Sequence, residues 1–110
     1  MSYYSQVYID LLVKPERAKQ FQLELRSLEA KTEDWIHSNV QYLQMEADRR
    51  LQYEDSFGKH YSTETFAVWL RQYVEAGRIL YVGESMEFWG YEFDGKGRVF
   101  PLSYVEKRGE

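Results

Sequence analysis

The hydrophobic period of the chain changes once within its first thirty residues, and this change constrains the fold more than any other feature. From Ser5 to Val13 apolar residues alternate with others, which is typical of a β-strand with one buried face. Pro15 follows, and proline is favoured at the first position of a helix. From Glu16 to about Lys31 apolar residues recur every three or four positions, as in an amphipathic helix. The chain therefore combines strand and helix, and we expect the α+β fold class.

A second helix is predicted in the C-terminal half. Phe66 to Val74 carries an apolar stripe, which Ser62 or Thr63 precedes as a helix cap. Gly77 follows the stripe and is predicted to end the helix in a left-handed conformation. Residues 55–61, which contain a glycine, are predicted to form the loop before it.

Three strands are predicted after this helix. Residues 79–83 form a short apolar run that is typical of a buried strand. Residues 87–94 and 98–105 flank the turn signal Asp94-Gly95-Lys96-Gly97, so they predict a β-hairpin. Pro101 lacks a backbone N–H, which predicts that its strand lies at a sheet edge.

The middle of the chain, residues 40–54, is compatible with two structures. As a helix it would place Ile36, Val40, Leu43, Ala47 and Leu51 on one stripe, and its composition is rich in helix formers. As a hairpin it would alternate over 43–47 and 51–53 around a turn near Asp48-Arg49, with Ser38-Asn39 as a preceding loop. Helix propensity is a weak argument that tertiary contacts often override. We favour the hairpin, because it completes the order strand–helix–strand–strand–helix–strand.

These elements predict one domain over residues 1–110. We expect a split βαβ core with the ferredoxin-like strand order and an added C-terminal β-hairpin. Two helices would cover one face of an antiparallel sheet. The other face would then meet solvent or a partner.

Composition excludes several functional classes. The chain contains no cysteine, which excludes thiol chemistry and disulfide or zinc-finger scaffolds. Its net charge is −4, and no basic stripe is present, so we expect neither nucleic acid nor an anionic membrane as a partner. The N-terminus lacks a basic-then-apolar signal, and no apolar run is long enough for a membrane span. We therefore expect a cytoplasmic protein.

Catalytic and metal-binding patterns are weak. His37 and His60 show no metal-ligand spacing, and a site would need distant carboxylates such as those of residues 34, 48 and 55. A hydrolytic trio of Ser62, His60 and Asp55 lacks a nucleophile elbow. The adjacent acids 33–34 and 54–55 would point apart on a strand or favour a helix start, so they do not form a general acid–base pair. The stretch Gly95-Lys96-Gly97 lacks the spacing of a phosphate-binding loop. We predict no catalytic residue, metal or cofactor.

Acidic and aromatic residues concentrate in the predicted C-terminal hairpin. The segment 84–94 holds four acids and no base, so the remaining 14 acids and 14 bases of the chain cancel. If alternate aromatics of this hairpin face the helices, the others must face outward beside the acids. Aromatic anchors within a polar rim are typical of protein interfaces. The predicted protein-binding residues are Glu84, Glu87, Phe88, Glu92, Phe100 and Tyr104.

Four stretches give the chain a resemblance to known proteins: residues 51–55, 66–77, 83–84 and 89–95, the last reading Trp-Gly-Tyr-Glu-Phe-Asp-Gly. They resemble small bacterial α+β proteins of unknown function, some of which are similar to immunity proteins of toxin systems. The resemblance implies a bacterial origin and transfers no mechanism or site residue.

We therefore expect a non-enzymatic protein that binds a protein partner, as an inhibitor, immunity protein or adaptor, or that forms a homodimer. One alternative is a small-ligand binder or minor enzyme with a pocket between sheet and helices that uses Tyr, His60 and carboxylates. A further alternative is an inhibitor whose spaced acids imitate nucleic-acid phosphates.

Overall fold

The protein is described by a computed structural model that covers residues 4–28, 30–31, 33–40, 43–58 and 60–104. Within these residues the chain forms the α+β arrangement that was predicted. The elements in chain order are β1 (Ser5–Val13), α1 (Ala18–Leu28), α2 (Asp34–Asn39), β2 (Arg50–Gly58), α3 (Thr63–Leu70), β3 (Val74–Gly83), β4 (Phe88–Phe93) and β5 (Val99–Tyr104). A 3₁₀ turn over Pro15–Arg17 leads into α1, as the position of Pro15 predicted.

The five strands form one sheet in the order β2-β1-β3-β4-β5, and every neighbouring pair is antiparallel. The helix α3 links β2 to β3, and both of these strands run opposite to β1. Strand β1 therefore lies between two strands that run in the same direction. The C-terminal hairpin β4–β5 extends the sheet beyond β3, as predicted, and Pro101 lies on the edge strand β5.

The helices and one face of the sheet enclose the hydrophobic core. On β1 the buried residues are those at alternate positions from Val7 to Val13, which confirms the strand prediction. The helices bury Phe21 from α1 and Phe66 and Leu70 from α3 in the same cluster. Each such side chain contributes about 1.5–3 kcal/mol through removal from water. The two predicted helices, α1 and α3, thus share one face of the sheet.

Neither structure predicted for residues 40–54 forms in full among the described residues. The second strand of the hairpin forms as part of β2, whereas its first strand and the alternative long helix do not form. A turn does occur near residues 48–49, where the Glu46 N–H donates to the Arg50 carbonyl oxygen at 2.9 Å. Beyond this turn Met45 and Leu51 form only one isolated bridge, so the predicted strand 43–47 contributes no ladder. The ferredoxin-like strand order is consequently not confirmed.

Residues 38–39 form the end of α2 rather than the predicted loop. Ile36 and Val40 pack into the core, and Ser38 and Asn39 are themselves buried. Both polar side chains donate hydrogen bonds to the Tyr61 carbonyl oxygen, at 3.1 and 2.8 Å. These tertiary contacts stabilise a short helix that local sequence preferences do not indicate.

Gly77 does not end a helix, which corrects a second prediction. Helix α3 ends at Leu70, and Gly77 lies within β3, opposite Leu11 of β1. Its φ is +119°, and a Cβ atom at this position would clash with the carbonyl oxygen of Asp10. The glycine therefore permits close approach of two strands. Likewise, β2 continues to Gly58, so the loop predicted from Asp55 begins later.

Candidate protein-interaction surface

The sheet has a second face, opposite the helices, which we call the open face. Every strand residue in the hydrophobic core of the described chain points toward the helices, and the residues between them point the other way. The described side chains of the open face are Gln6, Tyr8, Asp10, Leu12, Arg50, Gln52, Glu54, Ala76, Arg78, Leu80, Val82, Phe88, Glu92, Phe100 and Leu102.

The structure brings five of the six predicted binding residues to this face or its border. Phe88 and Phe100 are 36% and 45% exposed on β4 and β5. Glu92 lies directly opposite Phe100 in the register. Glu84 and Glu87 lie in the exposed turn between β3 and β4. The backbone of Tyr104 pairs with Phe88, and the side chain of Tyr104 lies outside the described residues.

An apolar groove crosses the open face beside these residues. Its volume is about 390 Å³, and the open-face side chains along it are Gln6, Tyr8, Leu80, Val82, Met86 and Phe88. Sequence analysis did not name Tyr8, Leu80, Val82 or Met86 as binding residues. The alternation of β1 already places Tyr8 on the face opposite Val7, whereas assigning Leu80 and Val82 to a face requires the strand register. The groove offers a place for an apolar side chain of a partner.

The β3–β4 turn fixes the end of this groove. The Gly83 N–H donates to the Glu87 carbonyl oxygen at 2.8 Å, and the Met86 N–H donates to the Gly83 carbonyl oxygen at 3.0 Å. Glu84 in turn accepts a hydrogen bond from the Tyr4 backbone N–H at 3.0 Å. Met86 has a positive φ of 64° and is 65% exposed. The turn therefore presents a flexible apolar side chain between two glutamates.

At the end of the open face away from the β3–β4 turn, arginines lie beside the acidic residues. Arg78 lies between Asp10 and Glu92 in the register, and Arg50 lies 3.8 Å from Asp10. Glu92 is thus flanked by Arg78 and Phe100 rather than by further acids. The acidic character predicted for residues 84–94 is consequently strongest at the β3–β4 turn, where the described segment 82–88 contains no Lys or Arg.

The β4–β5 turn is stabilised by its own carboxylate. Asp94 accepts hydrogen bonds from the backbone N–H groups of Lys96 and Arg98, at 2.8 and 3.1 Å, and the Arg98 guanidinium at 2.6 Å. The N–H of Lys96, followed by the contacts of Arg98, holds the pKa of Asp94 below its ordinary value. Arg98 also lies over the Phe100 ring, 5.6 Å from its centroid. Intramolecular contacts therefore order this side of the open face, while Phe100 stays exposed.

The two edges of the sheet are poor sites for an added strand. On β5 the missing N–H of Pro101 interrupts any ladder. On β2 the bridge from Met45 covers Leu51, and the register with β1 shifts between Ser5 and Val7. Irregularities of this kind protect edge strands from pairing with other chains. The open face, rather than an edge, is therefore the candidate interaction surface.

The structure shows where the described members of the weakly indicated hydrolytic trio lie. The Nδ1 atom of His60 lies 2.8 Å from the Ser5 hydroxyl oxygen, so the serine beside His60 is Ser5 and not Ser62. Ser5 is only 2% exposed, which leaves a substrate no access to its hydroxyl. The side chains of Asp34, His37 and Asp55 lie outside the described residues. Among the described residues no group of three or more His, Asp or Glu side chains could hold a metal ion.

Ser62 precedes α3 as predicted, yet its side chain forms no capping hydrogen bond, and its φ is +53°. The Thr63 hydroxyl instead lies 2.9 Å from the Tyr91 hydroxyl on β4. This contact joins the start of α3 to the sheet. The prediction that the side chain of Ser62 or Thr63 caps the helix is therefore wrong. A contact with the sheet, made by Thr63, fixes this end of α3 instead.

Comparisons with protein-family models, with curated proteins and with solved structures found no match. The resemblance to immunity-type proteins therefore remains a prediction. No helix in the described part of the chain is both long and apolar enough to cross a membrane.

Proposed function

We propose that this protein is a non-enzymatic binding module whose open face docks onto another protein surface. The observation that carries the proposal is the grouping of large exposed apolar side chains on one side of the sheet. Tyr8, Phe88 and Phe100 are each at least 36% exposed there, and Met86 lies along the groove with Tyr8 and Phe88. Grouped exposed apolar residues mark interaction sites more often than scattered ones do.

The size of the open face is compatible with a specific interface. Five strands about 4.8 Å apart and about 20–30 Å long give a face of roughly 600 Å². Pairing this area with a partner would bury roughly 1,200 Å² in total, at the lower end of specific protein interfaces. We therefore propose a reversible inhibitor, immunity protein or adaptor that acts in the cytoplasm, and a second copy of the chain is the other possible occupant.

The proposal is tested by comparing matched pairs of substitutions on the two sides of the molecule. Phe88→Ser with Phe100→Ser changes the open face, whereas Leu23→Ser with Val68→Ser changes helix residues that are 57% and 41% exposed. Each folded variant is used to capture proteins from a host lysate, and captured proteins are quantified by mass spectrometry. Sedimentation of the isolated chain tests for self-association.

The proposal predicts that the wild type and the helix double variant both retain a protein partner or self-association. The open-face double variant should lose it. Equal retention by both pairs, or loss by the helix pair alone, would place the interaction elsewhere.

A small-ligand site between sheet and helices is favoured by one observation. The Tyr81 hydroxyl is buried and has no hydrogen-bond partner among the described residues, and its ring lies 5.7 Å from that of His60. Burial, with a smaller effect from Tyr91, raises the pKa of Tyr81 far above its ordinary value. A thermal-shift screen of small polar metabolites tests this alternative, which predicts a rise in melting temperature that Tyr81→Phe abolishes. Nucleic-acid mimicry is less compatible with the open face, because arginines separate its acids.

A further inference from the structure

The groove on the open face has a rigid floor and a polar border. On the opposite side of the sheet, beneath the groove, the rings of Tyr81 and Trp89 stack with centroids 5.1 Å apart and planes inclined by 10°. Tyr81 is only 1% exposed, so this part of β3 and β4 is held by the core. A preformed groove reduces the ordering that a partner must impose on binding.

The charges around the groove are mostly negative. Apart from the Asp94–Arg98 ion pair, whose arginine lies over Phe100, the open face and its β3–β4 turn carry five acids against two arginines: Asp10, Glu54, Glu84, Glu87 and Glu92 against Arg50 and Arg78. One of these arginines, Arg50, already lies 3.8 Å from Asp10 and 3.5 Å from Asp48. Glu84 and Glu87 flank Met86 at the end of the groove. The surface therefore has an apolar centre and an acidic end.

We propose that the occupant of this groove is a protein segment in which large apolar side chains are flanked by Lys or Arg. The inference rests on the proposed function and names the chemistry of its partner. An apolar side chain would fill the groove between Tyr8 and Phe88, while neighbouring basic residues would meet the glutamates of the turn. A second copy of the chain fits less well, because its own open face is also net acidic, and a basic partner matches this charge better.

Three labelled probe peptides test both parts of this chemistry. One alternates leucine with lysine, the second alternates leucine with glutamate, and the third alternates serine with lysine. Binding is measured by fluorescence anisotropy, and contact residues are identified by two-dimensional NMR. The leucine–lysine peptide should bind at least about tenfold more tightly than either of the others, with shifts at Val82, Glu87 and Phe88. Its affinity should fall as salt is raised, because screening weakens the contribution of the exposed charges.

A matched pair of charge reversals locates the site. Glu84→Lys with Glu87→Lys should weaken binding of the leucine–lysine peptide by about tenfold or more. Glu16→Lys with Glu64→Lys makes the same change in net charge on the helix side and should leave binding within about twofold. If the turn variant fails to fold, Glu84→Gln and Glu87→Gln each provide a milder test in the same direction.

Equal binding of all three peptides, no binding of any, or equal effects of the two charge reversals would overturn the inference. A dimer of the isolated chain that is lost in the open-face serine variants would also overturn it, while still supporting the proposed function. If instead neither the serine variants nor the probe peptides involve the open face, the proposed function itself fails. The two proposals can thus fail separately.

Discussion

The two faces of the sheet use the same strands for different purposes. On the face that the helices cover, which we call the covered face, Tyr81 is 1% exposed and stacks on Trp89. Phe88, the residue before Trp89 on β4, lies on the open face and is 36% exposed. Phe88 and Trp89 are consecutive residues of β4, and strand alternation places them on opposite faces of the sheet. The comparison shows that aromatic content alone does not distinguish a core from a binding surface, whereas the face of the sheet does.

The largest expected difference between the two sides of the sheet concerns stability. Phe66→Ala removes a ring that is 0% exposed in the core and should cost about 3–5 kcal/mol of unfolding free energy. Phe88→Ala removes a ring from the open face and should cost less than about 1 kcal/mol. Urea denaturation of both variants measures this difference. Similar losses for the two would mean that the open face is also part of the stabilising core.

A smaller loss of stability is expected from placing a side chain at a glycine of the open-face hairpin. At Gly90 of β4 a Cβ atom would clash with the Ile79 carbonyl oxygen, so Gly90→Ala should cost about 2 kcal/mol. At Gly97 nothing lies within 4 Å, and only its φ of +80° opposes a side chain, so Gly97→Ala should cost about 1 kcal/mol. Thermal melts compare the two variants. A Gly90→Ala protein as stable as the wild type would contradict the close approach of β3 and β4.

The covered face also contains a hydroxyl group that does not contribute to its stability. Because the Tyr81 hydroxyl is buried without a partner among the described residues, Tyr81→Phe should leave the free energy of unfolding unchanged or raise it by up to about 1 kcal/mol. Tyr91→Phe removes the contact with Thr63 and should lower it by about 1 kcal/mol. Denaturation curves of both variants provide the measurement. A clear loss in Tyr81→Phe would indicate a polar partner at this hydroxyl.

The smallest effect is a pH dependence at the end of the hairpin that carries the open face. The pKa of Asp94 is lowered in the folded protein, so its carboxylate stabilises the fold above the unfolded pKa of about 3.9. This contribution is lost as the pH falls through the lower, folded pKa. The stability difference between the wild type and Asp94→Asn should therefore be full near neutral pH and shrink on acidification. A difference that stays constant down to acid pH would contradict the role of this carboxylate.

Much of the fold could be predicted from local patterns, because β1, α1 and the C-terminal hairpin have strong periodicity and clear turn residues. The bounds of β1 were predicted as the structure has them. The middle segment failed because Ser38 and Asn39 look like loop residues, and only their contacts with the distant Tyr61 carbonyl make a helix favourable. Gly77 failed similarly, since glycine is required there by a positive φ within β3 and by the close approach of the Asp10 carbonyl oxygen, and not by a helix end.

The candidate surface was predictable only in part. Alternation along β4 and β5 indicated that Phe88 and Phe100 leave the core together, and the structure places both on the open face. The position of Arg78 beside Glu92 depends on the register between β3 and β4, which local sequence does not determine. For the same reason the groove residues Leu80 and Val82, which resemble core residues in sequence, could not be assigned to the surface.

The most direct test of the central claim is site-specific photo-cross-linking from the two sides of the molecule. A photoreactive phenylalanine analogue is placed at Phe88 on the open face or at Leu23 on α1, which is 57% exposed. Cross-linked peptides are then identified by mass spectrometry. The account predicts cross-links to a defined protein segment, rich in apolar and basic residues, from position 88 and not from position 23. Cross-links from position 23 alone, or the same products from both positions, would contradict it.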